Sequence, residues 1–138
     1  MSTDAVTVDS LVQLSFSVQL TLTRIATEHD LSLTQLRVLG ILRDRTPSMA
    51  AIADHLDLDR SSVSGLIDRA ERRGLVERVR SAEDARVILV RATTEGLELA
   101  SSVGEEIGVR LDRMLDSAST TDLAAVVRLV DTLPQFPA

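Results

Sequence analysis

The chain contains no cysteine, tryptophan, tyrosine or lysine, and only two phenylalanines and two histidines among its 138 residues. Without cysteine there is no disulfide, no thiolate metal ligand, no thiol nucleophile and no cysteine-based redox sensing. Catalysis would have to rest on His29, His55 or a pair of carboxylates. Glu105 and Glu106 are adjacent, so on a helix they point in different directions instead of facing each other across a cleft. Neither G-x-x-x-x-G-K-[ST] nor G-x-G-x-x-G occurs. An enzyme is therefore disfavoured and no cofactor is implied. Two histidines without cysteine also argue against a zinc site.

The first ten residues, MSTDAVTVDS, carry two acids and no base, and no apolar run reaches the length of a membrane span. A cytoplasmic protein with no membrane partner is expected. Hydrophobic residues make up 44% of the chain, which is globular composition, and the length suits a single domain over residues 1–138.

The net charge of −6 is unevenly placed. From Arg60 to Arg91 eight arginines stand against five acids, a local +3, and the remainder of the chain is −9. That asymmetry suits a basic binding face on an acidic body, and equally an ordinary solvated charged face.

Between Leu11 and Ile25 the set Leu11, Leu14, Val18, Leu22 and Ile25 has helical spacing, while Leu14, Phe16, Val18, Leu20 and Leu22 alternate as in a strand. A strand that long would exceed the usual length of roughly 3–10 residues, so a helix with a wide apolar face is expected. Ser32 and Gln35 form a capping-box pattern opening a helix from about Leu33 to Arg43. Pro47 and Ser48 open a short helix carrying Met49, Ile52, Ala53 and Leu56. Asp59 caps the next, with Val63, Leu66, Ile67 and Ala70 inward and Gly74 at its end.

These two short helices make a helix-turn-helix candidate. Leu75–Arg80 and Arg86–Arg91 are β-rich runs around a polar tip, Ser81 to Ala85, which predicts a hairpin. Thr93 caps a long helix with the stripe Leu97, Ala100, Val103, Ile107, Leu111, Met114 and Leu115. A final helix bearing Leu123, Val126, Val127, Val130 and Leu133 starts after Ser119 or Thr120 and stops at Pro134. The expected class is mainly α with a small β-hairpin (α+β).

The first turn of a recognition helix needs short polar side chains that let it approach base edges in the major groove. Ser61, Ser62, Ser64 and Gly65 fit that requirement, and the helical wheel turns Ser61, Ser64, Gly65, Asp68 and Arg72 outward. Arg60, Arg69, Arg72 and Arg73 are candidate phosphate contacts, which fix register and supply sequence-independent affinity. For any one of them a surface ion pair is as good a reading; their clustering favours DNA.

The ordered combination of Gly74-Leu75-Val76-Glu77-Arg78, Asp84-Ala85-Arg86 and Thr93-x-x-Gly96 resembles the multiple antibiotic resistance regulator (MarR) family, whose members share a G-L-[IV]-x-R turn, a D-x-R wing tip and a T-x-x-G helix start. The resemblance runs from about Leu11 to Leu133. It implies a winged helix-turn-helix at about residues 32–92, with dimerisation helices at about 8–30 and 96–134. It further implies that Arg86 enters the minor groove while Asp84 supports the wing, and that Ser61, Ser62, Ser64 and Gly65 face the major groove. Ala85 stands where the family often has a second basic residue, which implies weaker non-specific affinity.

The partners so implied are a double-stranded DNA operator, a second copy of the chain, and a small, aromatic acid-like effector bound between the dimer helices and the winged domain. The effector site is not located by the sequence; Phe16, Arg24 and His29 are candidates, against the simpler reading of a core phenylalanine and two surface residues. The expected function is a transcription regulator, by family default a repressor, on an inverted-repeat operator. The alternative is a winged-helix dimer that serves as a protein-interaction module without binding DNA.

Overall fold

Helix starts in this chain are set by short polar side chains that accept a backbone N–H the first turn cannot satisfy itself. In the computed structural model, which describes residues 2–136, Asp4 opens α1 (Ala5–Glu28) and Ser32 opens α2 (Leu33–Leu42). Ser48 opens α3 (Met49–Leu56), Asp59 opens α4 (Arg60–Arg72), Thr93 opens α5 (Thr94–Met114), and Ser119 opens α6 (Thr120–Asp131). Between α4 and α5, β1 (Val76–Arg80) pairs antiparallel with β2 (Ile88–Ala92), Val76 opposite Ala92 and Arg80 opposite Ile88. The winged helix-turn-helix class and the element order expected from the sequence are both observed.

Several boundaries shift by one to three residues, and the start of the second strand is the informative one. The second strand begins at Ile88, two residues later than expected, because Arg86 and Val87 close the tip. The Val87 N–H donates to the Asp84 carbonyl at 2.9 Å, the Ser81 N–H to the Val87 carbonyl at 3.0 Å, and the Arg86 N–H to the Asp84 carboxylate at 3.0 Å.

The core gathers Ile25 and Ala26 from the end of α1, the inner faces of α2, α3 and α4, Leu75, Val76 and Val90 of the hairpin, and Val103 of α5. Ile25, Ile52, Ile67, Val63, Val90 and Val103 are fully enclosed, each contributing roughly 1.5–3 kcal/mol relative to exposure. The hairpin is sewn to the start of α3, where the Val90 N–H donates to the Pro47 carbonyl at 2.8 Å and Ser48 bridges Leu89.

Two glycines shape the wing's base. Gly74 ends α4 with φ +75°. At Gly96, a Cβ would lie 2.0 Å from the Leu75 carbonyl oxygen, so only glycine lets α5 start this close to the entry of β1. Thr93 completes the junction, its Oγ1 donating to the Gly74 carbonyl at 2.5 Å and its N–H to the Leu75 carbonyl at 3.0 Å.

The terminal helices behave differently. α1 buries only Ile25 and Ala26, and α6 buries nothing. Among the described residues every exposed large apolar side chain lies on α1, α5, α6 or at Leu133 just beyond. Phe16 is 67% exposed, which corrects the expectation of a core phenylalanine. Residues Ala5–Glu28 are also long and apolar enough, at a mean hydropathy of 1.2 over 18 residues, to cross a membrane by length and composition. The expectation of no such run is corrected: most residues that break it are uncharged serines, threonines and glutamines, and Asp9 and Arg24 are its only charged residues before Glu28.

Candidate nucleic-acid interface

The first turn of α4 is fixed by Asp59, whose carboxylate accepts the Ser62 N–H at 2.7 Å and the Ser61 hydroxyl at 2.7 Å. These bonds, the Ser61 hydroxyl first, hold the Asp59 carboxyl below the usual carboxylate range. In the chain as described, the Ser61 hydroxyl donor is thus engaged by its own helix cap. Gly65 leaves the next turn open: a Cβ there would only touch the Arg69 guanidinium at 3.4 Å.

Arg78 of β1 organises the middle of α4. Its guanidinium pairs with Asp68 at 2.8 Å and with Glu71, and donates to the Ser64 hydroxyl and carbonyl at 3.4 Å each. Across the hairpin Arg91 pairs with Glu77. Four of the five acids of the basic segment are thereby paired with Arg78, Arg91 and Arg86, while Arg60, Arg69 and Arg72 are exposed and have no carboxylate within 4.0 Å among the described residues. Arg73 does not join them. It reaches back to the α1–α2 turn, donating to the carbonyls of Asp30 at 2.9 Å and His29 at 3.0 Å. That corrects its reading as a phosphate contact and explains how Asp30 is held at φ +57°.

At the wing tip Asp84 accepts Arg86 Nε and Nη2, each at 3.1 Å, besides its backbone N–H. The Arg86 side chain holds the Asp84 carboxyl below its ordinary range, with the backbone bond adding to the effect. Arg80 braces the tip from β1 by donating to the Ala85 carbonyl at 3.1 Å. The Arg86 side chain itself is 91% exposed.

Between α3, α4 and the wing lies a cleft of about 480 Å³ that brings together Arg60, Ser64 and Arg86, with Ser48 and Met49 on its far wall. Ser61, Ser62, Gly65, Arg69 and Arg72 are not part of its lining. Arg78 and Arg80 are residues that sequence reasoning left without a role. Arg78 had a signal, since it ends the Gly74–Arg78 turn.

A second, larger cavity of about 710 Å³ opens between α1, α2, α5 and the segment after α6. Leu22, Leu36 and Ile107 are among its apolar walls, and Arg37, Arg43, Arg45 and His55 supply its polar side. None of the candidate effector residues lines it: Phe16 and Arg24 are exposed elsewhere on α1, and His29 Nε2 is paired with Glu106 at 2.6 Å.

A MarR family model matches residues 29–87, the end of α1 through the wing tip. The chain carries a MarR-family region at residues 29–87. The HTH-type transcriptional regulator YfiV of Bacillus subtilis is 32% identical over 98 residues, which is 70% of this chain and 61% of that protein. The chain therefore spans less than two thirds of that relative's length. Among solved structures, this fold is similar to NadR in complex with 4-hydroxyphenylacetate, with a TM-score of 0.79 at 22% identity over 95% of this chain and 93% of that one. It is also similar to the apo form of wild-type MarR from E. coli, at a TM-score of 0.78 and 20% identity over 97% of this chain and 99% of that one. At such identities these likenesses describe the fold.

Proposed function

We propose that this chain is a cytoplasmic, non-enzymatic transcription regulator of the MarR family, by family default a repressor, that binds an inverted-repeat duplex operator as a homodimer. Residues 32–92 are the DNA-binding region, and residues 8–30 and 96–134 the dimerisation helices. The observation that carries this reading is the cleft that joins Arg60, Ser64 and Arg86 on a segment whose acids are mostly paired from within. Ser61, Ser62, Ser64 and Gly65 read the major groove, Arg60, Arg69 and Arg72 contact phosphates, and Arg86, supported by Asp84, enters the minor groove. Support for the dimer comes from the apolar faces of α1 and α6, which none of the described residues of their own chain covers.

The effector reading is an aromatic carboxylate in the 710 Å³ cavity. It is supported by the arginines and apolar walls of that cavity, and by the 4-hydroxyphenylacetate in the NadR structure.

The test is a titration of the purified protein against a labelled duplex from its own upstream region, with varied salt and excess unrelated DNA. Saturable binding that survives competitor supports the reading, and absence of binding at low salt sinks it in favour of a protein-interaction module. Arg86→Ala is expected to lower the salt slope by about one unit, as for the loss of one cation near the phosphates. An unchanged slope removes Arg86 from the interface.

A further inference from the structure

Phe136 is one of only two phenylalanines in the chain, and it lies beyond the last helix. After α6 ends, Gln135 Nε2 donates to the carbonyls of Val130 at 2.8 Å and Leu133 at 2.9 Å, which ties the tail to the helix end. The Phe136 ring then meets the His55 ring edge-on, centroids 4.8 Å apart at 73°. The Arg45 guanidinium carbon lies 5.5 Å from the Phe136 centroid. His55 belongs to α3, so a helix that buries no side chain of its own is followed by a tail that packs on the winged core.

Phe136, Gln135 and Pro134 form one wall of the 710 Å³ cavity, and among the described residues no carboxylate lines it. Arg37 and Arg43 have no carboxylate within 4.0 Å among the described residues, and Arg45 has only Asp44 at 3.5 Å. A cavity with three arginines, a histidine and apolar walls suits an anion carrying a flat apolar body, and the face of an aromatic ring suits a cation. One such ring is already supplied by the chain.

We propose that the Phe136 tail is a tethered plug of this cavity, seated where the ring of an aromatic carboxylate would sit, so that ligand and tail compete for Arg45 and His55. The proposal rests on the effector reading above and adds the regulation of that site. Tethering gives the tail a high effective concentration without any ligand in solution. A site open only a fraction of the time binds more weakly by that fraction, so roughly three- to tenfold of affinity is withheld if the tail is docked about 70–90% of the time. Ligand entry then also releases the end of α6 from the winged core.

The experiment is calorimetric titration of the 138-residue chain with naphthalene-2-carboxylate, comparing the unaltered chain with Phe136→Ala, Phe136→Leu and the double variant Arg37→Gln with Arg43→Gln. Phe136→Ala is expected to bind roughly three- to tenfold more tightly, with Phe136→Leu between it and the unaltered chain, and the double variant to bind poorly. Equal affinity in the unaltered chain and Phe136→Ala overturns the plug and leaves the effector site standing. Weaker binding by Phe136→Ala makes the ring a wall of the site and also overturns the plug. No binding by any of these proteins overturns both readings. Thermal melts of each variant separate these outcomes from loss of fold.

Discussion

The winged core and the terminal helices draw on the same leucines, valines and isoleucines and place them oppositely. From α2 to β2 the large apolar side chains are turned into one core, whereas α1 and α6 leave Val6, Leu11, Phe16, Leu20, Val127 and Val130 between 45% and 75% exposed. The winged part is finished within one chain, whereas the terminal helices leave an apolar face exposed. In the proposed dimer the unfinished part governs the finished one, because two recognition helices must be spaced to meet successive major grooves about 10 base pairs apart.

The sharpest way to break this contrast is to charge the exposed face. Val126→Asp combined with Val130→Asp should convert the protein from dimer to monomer in sedimentation and cost about 100-fold or more in operator affinity, while circular dichroism of the winged core is retained. A dimer that survives would place the interface elsewhere. A smaller effect is expected inside the core. Arg78→Met frees Asp68 and Glu71 beside the recognition face, and should weaken operator binding about tenfold, ~1.4 kcal/mol, without changing the oligomeric state. Unchanged affinity in a fluorescence titration would show that Arg78 does not organise α4 for DNA.

The smallest effect is shared by both regions. Asp59 and Asp84 in the winged core and Asp4 and Asp122 at the terminal helices are all held below the usual carboxylate range, chiefly by bonds from Ser61, Arg86, Thr7 and Ser119 respectively. Each lowered carboxyl contributes stability that is present above about pH 4, its ordinary value, and lost as pH falls through the lower folded one. Urea unfolding at pH 5 and pH 3 should therefore show a loss that shrinks in Asp59→Asn. An identical loss in that variant would remove the α4 cap from the acid response.

Local rules made most of the fold legible. Ser32, Ser48, Asp59, Thr93 and Ser119 each cap the helix that follows, as their positions before apolar runs indicate, and the hairpin declares itself by β-rich runs around a polar tip. What stayed hidden is long-range. β-propensity cannot see that Asp84 uses the Arg86 and Val87 amides to close the tip. No pattern in α4 distinguishes Arg73, which serves a turn 43 residues earlier, from Arg72, which is exposed without a carboxylate partner. Helical spacing announced the apolar faces of α1 and α6 but not that they would stay uncovered in one chain. The cleft residues Arg60, Ser64 and Arg86 were nameable in advance because two sit on one short helix and the third in a recurring tip.

The glycine junction at the base of the wing has a mechanical meaning. With Gly96 seated against the Leu75 carbonyl and Thr93 bonded to Gly74 and Leu75, the two strands leave α4 and enter α5 through a single fulcrum. A five-residue strand spans about 17 Å, so tilting that fulcrum by about 10° sweeps the tip through about 3 Å, a full hydrogen-bond length. Arg86 therefore rides at the end of a stiff arm pivoted where α5 begins, so a slight tilt of the wing about that junction carries the tip through a distance that makes or breaks a hydrogen bond.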